Sequence, residues 1–206
     1  MRRSDISVVA AMGVEAWAVR RRAPGLRLMR GGIGLRGWQD DVATAVVVSV
    51  GLAGGLRADL APGTVVIATD VALEDGAKLE CDKDWVESLT AAAARLRLPF
   101  VAEPVLTALH LVTGGERSRW SEQGFAAVDM ESAHLGTRAP TLAVVRVVLD
   151  TPNHELSPAW ERPGRAALDP RNARELVWLL RNVPRYALRA ASVLAETVRR
   201  DIDAKV

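Results

Sequence analysis

Residues 45–50 constrain the fold more than any other segment of the sequence. This segment is apolar apart from Ser49 and rich in β-branched valine. A short apolar run of this kind is typical of a strand that is buried on both faces. A second run of the same character, residues 142–150, ends on an acidic residue. The sequence therefore predicts a sheet that is covered by helices on both sides.

Strand-like and helix-like segments alternate along the rest of the chain, without an internal repeat or a domain linker. This alternation predicts an α/β fold with one domain over residues 1–206: a three-layer α/β/α arrangement with a central mixed sheet. C-terminal helices are expected from about residue 171, and Pro184 is expected to divide them. Further strands are predicted at 6–11, 26–30, 64–71, 100–106, 109–113 and 126–128, and helices at 14–22, 38–44, 84–96, 116–123, 172–180 and 185–201.

Composition excludes several classes of protein. Of the 206 residues, 49% are hydrophobic and 25% charged, which is typical of a globular protein. One cysteine rules out an internal disulfide framework and fits a reducing compartment. A net charge of +2 does not indicate nucleic-acid binding. No stretch approaches the roughly 18 apolar residues of a membrane span, so a soluble, cytoplasmic protein is expected.

Two glycine-rich segments are candidates for ligand contact. Residues 32–37, "GIGLRG", match a dinucleotide-binding fingerprint in form, but the acidic residue that should follow about 20 positions later is missing. Residues 51–56, "GLAGGL", follow the buried run 45–50 directly. Glycines at this place allow a ligand to approach the main chain closely, although a simple tight turn would use the same residues.

Three carboxylates are placed where α/β folds bind ligands. Glu131 is expected at the turn from a strand into a helix, Asp150 at the end of the run 142–150, and Glu15 shortly after the first strand. Ligands of such folds bind outside the carboxyl ends of the strands. Taken alone, Glu15 is better explained as an acid favoured by the dipole at a helix start, and it becomes a site candidate only together with Glu131 and Asp150. The three histidines show no metal-ligand spacing, so no metal site is predicted.

Four motifs resemble the nucleoside phosphorylase and nucleosidase superfamily, and they occur in the order that the family shows. They span roughly residues 6–153, and the resemblance implies the family's α/β fold. The motifs are "VVAAMGVEA" at 8–16, "GLAGGL" at 51–56 followed by "APGTVVIATD" at 61–70, "VDMES" at 128–132 and "VRVVLDTPN" at 145–153.

The resemblance implies cleavage of the N-glycosidic bond of a purine nucleoside. This reaction builds positive charge on the sugar and negative charge on the leaving base. Asp150 would protonate or hydrogen-bond the purine N7, Glu131 would hold the ribose hydroxyls, and Glu15 would orient the attacking water or contact the ribose. Further substrate contacts are assigned to Met130, which would pack against the sugar, and to Ala53, Gly54 and Asp129.

The nucleophile is less well defined. Phosphorylases of the superfamily carry an arginine and a serine near the glycine turn, where this chain has Ser49 and Leu52. Hydrolysis is therefore favoured and no cofactor is expected. Phosphate stays open as a co-substrate through Arg36, Arg117 or Arg146.

Three alternatives for the specific function stay open. The tail at residues 176–202 resembles hopanoid-associated phosphorylases, which implies removal of adenine from adenosylhopane in hopanoid biosynthesis. Hydrolysis of methylthioadenosine or S-adenosylhomocysteine is the second alternative, although Asn153 stands where those enzymes usually have an acid. A non-catalytic nucleoside-binding protein is the third.

The tail also suggests partners. Its apolar positions recur at helical spacing and arginines occupy the other faces, a pattern that suits either contact with an anionic lipid surface or simple packing on the sheet. A homodimer is expected from the family resemblance.

Overall fold

Eight strands form one mixed sheet in the computed structural model, which describes residues 3–35, 38, 44–136 and 140–203. The strands run parallel for the pairs β1–β2, β1–β3, β3–β8, β4–β6 and β6–β7, and antiparallel for β3–β7, β4–β5 and β4–β8. Their bounds are β1 Ile6–Ala10, β2 Arg27–Arg30, β3 Val46–Gly55, β4 Val65–Leu73, β5 Lys78–Glu80, β6 Phe100–Thr107, β7 Ala127–Asp129 and β8 Thr141–Asp150.

The central strands close on themselves. Strand β8 pairs with both β3 and β4, β4 pairs with β6, and the short strand β7 joins β6 back to β3. Five strands therefore form a ring, from which β1 and β2 extend on one side and β5 on the other.

Helices cover both faces of the sheet, which confirms the predicted three-layer α/β class. Helices α1, α2 and α6 pack on one face, against a core that includes Val8 and Val48; α4 packs on the other, where Val9 and Val47 point. The predicted doubly buried strand at 45–50 is confirmed, because every residue of β3 except Gly54 is buried. The helices are α1 Gly13–Arg22, α2 Lys83–Arg95, α3 Gly115–Glu122, α4 Ser132–Gly136, α5 Pro163–Ala166 and α6 Ala173–Asp203.

Helix α6 corrects the prediction of two C-terminal helices. It runs for 31 residues with Pro184 inside it. Proline removes the hydrogen bond to the carbonyl four residues earlier, here that of Leu180. Leu180 is 67% exposed, so water can satisfy this carbonyl. Tyr186 and Leu194, beyond the proline, pack into the same core as α1, and this packing keeps the helix continuous.

Several other predicted elements differ from those in the structure. The alternative of a tight turn at 51–56 is wrong as far as Gly55, because β3 continues through those residues and pairs with β8 and β7. The predicted strand at 109–113 is not formed, and β5 has no counterpart in the prediction. The predicted helix at 38–44 lies outside the described residues except at its two ends. In the described part of the chain, no helix is long and apolar enough to cross a bilayer.

Candidate active site

Three buried carboxylates lie at or just beyond the carboxyl ends of three strands that all pair with β3, namely β1, β7 and β8. Glu15 is in the first turn of α1 after β1, Glu131 lies between β7 and α4, and Asp150 ends β8. Each is less than 8% exposed. The structure divides them into two groups: Glu15 and Glu131 surround one arginine, whereas Asp150 pairs with another.

Glu15 is fixed by main-chain donors. Its carboxylate accepts hydrogen bonds from the N–H groups of Met12 at 2.8 Å and Leu52 at 2.9 Å. A Cβ atom on Gly51 would lie 2.5 Å from Glu15 Oε1 and 2.8 Å from Arg146 Nη1, so only glycine leaves room here for both side chains. Burial raises the pKa of Glu15, while Arg146 and the N–H donors oppose the rise.

Arg146 is the centre of this group. It is 2% exposed in the middle of β8. Its guanidinium donates to Asp129 Oδ2 at 2.7 Å and to Ser49 Oγ at 2.7 Å, and its Nη2 lies 3.7 Å from Glu131 Oε2. One cation therefore faces the carboxylates of Glu15, Glu131 and Asp129.

Asp129 anchors this arginine. Besides Arg146, it accepts hydrogen bonds from the hydroxyls of Thr107, at 2.8 Å, and Ser132. Burial acts to raise its pKa, but Arg146 and these hydroxyls hold the pKa below its usual value. The sequence assigns Asp129 to substrate binding; in the structure its oxygens are engaged by protein donors.

Glu131 meets the first glycine-rich segment. Its Oε1 accepts a hydrogen bond of 2.9 Å from the N–H of Gly34, so the "GIGLRG" residues contact a carboxylate through the main chain. Burial, together with the neighbouring charges of Asp129 and Glu15, raises the pKa of Glu131 to about 7, and Arg146 limits the rise. Glu131 is thus one group of the cluster that titrates near neutral pH.

Asp150 lies on the other side of Gly54. Its Oδ2 accepts hydrogen bonds from Arg117 Nη2 and from the N–H of Leu156 at 3.2 Å. Its Oδ1 would lie 3.1 Å from a Cβ atom on Gly54. Burial raises the pKa of Asp150 and the Arg117 guanidinium opposes the rise.

Arg117 comes from α3 and is fully buried. It donates from Nε to the Val112 carbonyl at 3.0 Å and from Nη1 to the Gly55 carbonyl at 2.7 Å. The sequence offers three arginines for phosphate. Arg146 lies near Glu15, Arg117 donates a hydrogen bond to Asp150, and Arg36 lies outside the described residues.

Comparison with known proteins now identifies the family. Residues 41–155, more than half of the chain, match the family model of the phosphorylase superfamily. The chain belongs to the phosphorylase superfamily. No curated protein matches the chain significantly.

Solved structures share the superfamily fold at low identity. The 5′-methylthioadenosine/S-adenosylhomocysteine nucleosidase of Neisseria meningitidis, in complex with methylthio-immucillin-A, superposes with a TM-score of 0.72 at 18% identity, covering 95% of this chain and 98% of that chain. The futalosine hydrolase of Helicobacter pylori gives 0.72 at 14% identity, covering 96% and 98%. These likenesses confirm the predicted fold.

As a superfamily member, the chain is an enzyme of the nucleosidase and nucleoside phosphorylase type. Such enzymes need no cofactor, as the sequence predicts, and phosphate is the co-substrate of the phosphorylases. The remaining predicted substrate contacts divide: Gly54 lies beside Asp150 and Met130 is half-buried next to Glu131, whereas the methyl group of Ala53 packs in the apolar core.

The sequence offers Arg146 only as a phosphate ligand and does not predict its position at the centre of the carboxylate cluster. A signal was present, since an arginine in the middle of an otherwise apolar strand must find buried anionic partners.

One group of surface side chains bears on the prediction that the chain has no metal site, but it is weak evidence for one. Glu74, His110 and Glu116 have ligand atoms within 4.8 Å of one another, but two of the three are exposed and His110 pairs with both acids.

Proposed function

We propose that the protein hydrolyses the N-glycosidic bond of a purine nucleoside. The observation that carries this proposal is the cluster of Glu15, Glu131 and Asp129 around Arg146, the one cation of the cluster among the described residues. Positive charge develops on the sugar as the bond breaks. A site with more carboxylates than cations stabilises that charge electrostatically.

The two groups of the site suit the two ends of a nucleoside. Glu131, with a second oxygen near Arg146, would accept hydrogen bonds from ribose hydroxyls. Glu15 and Arg146, which both border Gly51, would hold the attacking water. Asp150, on the far side of Gly54, would hydrogen-bond the departing base.

Water is the better nucleophile for this cluster. A phosphate ion next to Glu15 would face three carboxylates and one guanidinium among the described residues of the cluster, so like charges would repel it. The Ser49 hydroxyl already bonds to Arg146, and the Leu52 side chain belongs to the apolar core. Neither residue is suited to hold phosphate.

The proposed base is adenine. Two proposals stand for the group on the ribose 5′ carbon. The extended hydrocarbon of adenosylhopane, and with it a role in hopanoid biosynthesis, rests on the C-terminal resemblance. The methylthio or homocysteine group is supported by the fold of the N. meningitidis enzyme, whose name gives those substrates.

The test is base release from adenosine, methylthioadenosine and a 5′-alkyl adenosine, with and without phosphate. We expect release that does not depend on phosphate. Loss of the Asp150 carboxylate in Asp150→Asn should lower kcat by roughly 100-fold or more, whereas the exposed control Asp84→Asn should leave it unchanged. A wild-type protein that releases no base from any of these nucleosides would support the non-catalytic alternative. Robust turnover of methylthioadenosine with poor use of the alkyl analogue would argue against the hopanoid substrate.

We further propose a peripheral membrane contact through one face of α6. Its exposed side includes Val177 and Leu180, 47% and 67% exposed, flanked by the exposed Arg174 and Arg181. An apolar stripe bordered by arginines suits an anionic bilayer surface. Co-sedimentation with phosphatidylglycerol vesicles should exceed that with phosphatidylcholine vesicles, and equal binding to both would contradict the proposal.

Homodimerisation, which the family resemblance implies, is proposed as well. Light scattering should give twice the chain mass of 22.2 kDa. A mass of one chain across the concentration range would contradict it.

A further inference from the structure

We propose that a surface hollow away from the candidate active site binds a fatty acid, whose carboxylate pairs with arginines and whose alkyl chain contacts leucines. The hollow measures about 490 Å³ and lies where the ends of α1 and α2 meet the second half of α6. Its lining consists of Arg22, Leu96, Leu98, Arg185, Leu188, Arg189 and Ser192. The proposed nucleoside cleavage uses none of these residues.

The hollow and the candidate active site lie at opposite ends of α1. Glu15, in the first turn of the helix, belongs to the active site, whereas Arg22 is its last residue. Seven residues of helix separate the two by roughly 10 Å along the axis. A ligand in the hollow is therefore held without entering the nucleoside site.

The lining carries three guanidinium groups and no carboxylate. Within the part of the chain that the structure describes, no acidic side chain forms an ion pair with Arg22, Arg185 or Arg189. The next acidic residue along α6, Glu196, is engaged by other arginines, namely Arg95, Arg199 and Arg200. A concentration of positive charge in a concave surface attracts an anion.

Arg189 is held in position before any ligand binds. Its Nη1 donates a hydrogen bond to the Gly63 carbonyl, and its guanidinium lies 5.8 Å from the centre of the Tyr186 ring. Burial and the charge of Arg185, one helical turn earlier, lower the pKa of Arg189, and Tyr186 opposes this effect. A carboxylate between Arg185 and Arg189 would relieve their repulsion, since its two oxygens accept hydrogen bonds from guanidinium N–H groups.

The rest of the lining is mainly apolar. Leu96 is 37% exposed, and Leu98 and Leu188 are half-buried. The Ser192 hydroxyl donates to the Leu188 carbonyl at 2.7 Å, so its hydrogen is already used. An alkyl chain along the leucines would remove their apolar surface from water. An inorganic anion meets only the arginines and a neutral chain only the leucines, whereas a fatty acid meets both.

A neighbouring hollow gives the chain more room. It measures about 360 Å³, shares Arg22, Leu96 and Ser192 with the first, and adds the apolar residues Leu26 and Val198. The two hollows therefore form one groove between the helix ends, with the arginines Arg185 and Arg189 bordering one part of it.

The shape of the groove favours a single molecule over a bilayer surface. Val177 and Leu180, which the proposed membrane contact uses, are 47% and 67% exposed on α6. Leu98 and Leu188 are half-buried in a concave surface. A flat bilayer reaches side chains of the first kind, whereas a monomeric amphiphile can enter the groove.

Titration calorimetry with decanoate below its micelle concentration tests the proposal, with acetate and decyl maltoside as probes of the head and the chain alone. We expect the wild type to bind decanoate and neither of the other two, and binding to weaken as salt is added. Arg185→Gln and Arg22→Gln should each lower the affinity by roughly 10-fold, and Leu96→Ser by several-fold. Arg20→Gln, an exposed change on α1 outside the lining, should leave it unchanged.

Arg22, Arg185 and Leu96 are exposed, so the variants should fold, which thermal unfolding checks. A wild type that does not bind decanoate would overturn the proposal, as would equal affinity for decyl maltoside or an unchanged affinity in both arginine variants. Association with phosphatidylglycerol vesicles without binding of decanoate would assign the arginines to a membrane surface and would equally overturn it. None of these measurements involves nucleoside turnover, so failure of the proposed function leaves this test intact.

Discussion

At the scale of single residues, the main feature is an excess of buried negative charge. Arg146 is the shared partner of Glu15, Glu131 and Asp129. Asp129 is bonded most completely and its pKa is lowered, whereas the pKa values of Glu15 and Glu131 are raised by burial. Ionisation of Glu15 and Glu131 therefore costs free energy in the folded protein, so the cluster should reduce its stability at neutral and higher pH.

Replacing Glu131 by Gln should reveal this cost. The pKa of Glu131 rises from its ordinary value of 4.5 in the unfolded chain to about 7 in the folded protein. Between these values the folded protein binds more protons, so stability falls as pH rises from about 4.5 to 7 and stays reduced above. At pH 8, the free energy of unfolding of Glu131→Gln should therefore exceed that of the wild type by on the order of 1–3 kcal/mol. Urea denaturation measures this difference, which should be small at pH 4.5.

The same variant should lose nucleoside cleavage, because the amide replaces an ionised acceptor for the ribose hydroxyls. Glu80→Gln, an exposed change on β5, serves as the control and should alter neither quantity. Greater stability of the wild type than of Glu131→Gln at pH 8 would contradict the proposed charge excess.

At the scale of elements, caps and packing decide where helices begin and end. Helix α2 begins at a side-chain cap, since Asp82 Oδ1 accepts a hydrogen bond of 3.0 Å from the Trp85 N–H. Helix α6, in contrast, continues through Pro184 because both of its halves pack on the same core. Local sequence therefore predicts the start of α2 well and the course of α6 poorly.

Removal of the cap should cost stability without affecting the site. Asp82→Ala leaves the Trp85 N–H without its acceptor, and we expect a loss of about 1 kcal/mol in the free energy of unfolding. Glu87→Ala, on the exposed face of the same helix, should change it by only a few tenths. Equal urea midpoints for the two variants would show that the cap contributes nothing.

At the scale of the whole molecule, α6 is part of the main core. Leu194 is fully buried among residues of α1, α2 and β3, whereas Leu180 on the same helix is 67% exposed. Leu194→Ala should lower the free energy of unfolding by about 2–5 kcal/mol, and Leu180→Ala should change it by less than about 0.5 kcal/mol. Urea denaturation measures both, and a small effect of Leu194→Ala would mean that α6 packs only loosely on the sheet.

The sequence predicts the features that depend on local interactions and misses those that depend on contacts between residues distant in sequence. The buried strands at 45–50 and 142–150 and the positions of Glu131 and Asp150 at strand ends have local signals, and the structure has them there. The extension of β3 through its glycines depends on pairing with β8 and β7, which are distant in sequence. The partners of Arg146 and Arg117 come from elements that are distant in sequence: α1, β3, β7, α4 and β8. A single domain over residues 1–206 stays a prediction.

The short strand β7 has a consequence for how the chain tolerates insertions and deletions. Two of its three residues pair with β3 and all three pair with β6; Asp129 is its last residue, and Glu131 lies two positions further on. One residue added or removed here would turn alternate side chains to the opposite face and separate Asp129 from Arg146. A residue added near Gly76, in the exposed turn between β4 and β5, would disturb no such contact. Length variants of this protein should therefore be almost absent around β7 and frequent in that turn.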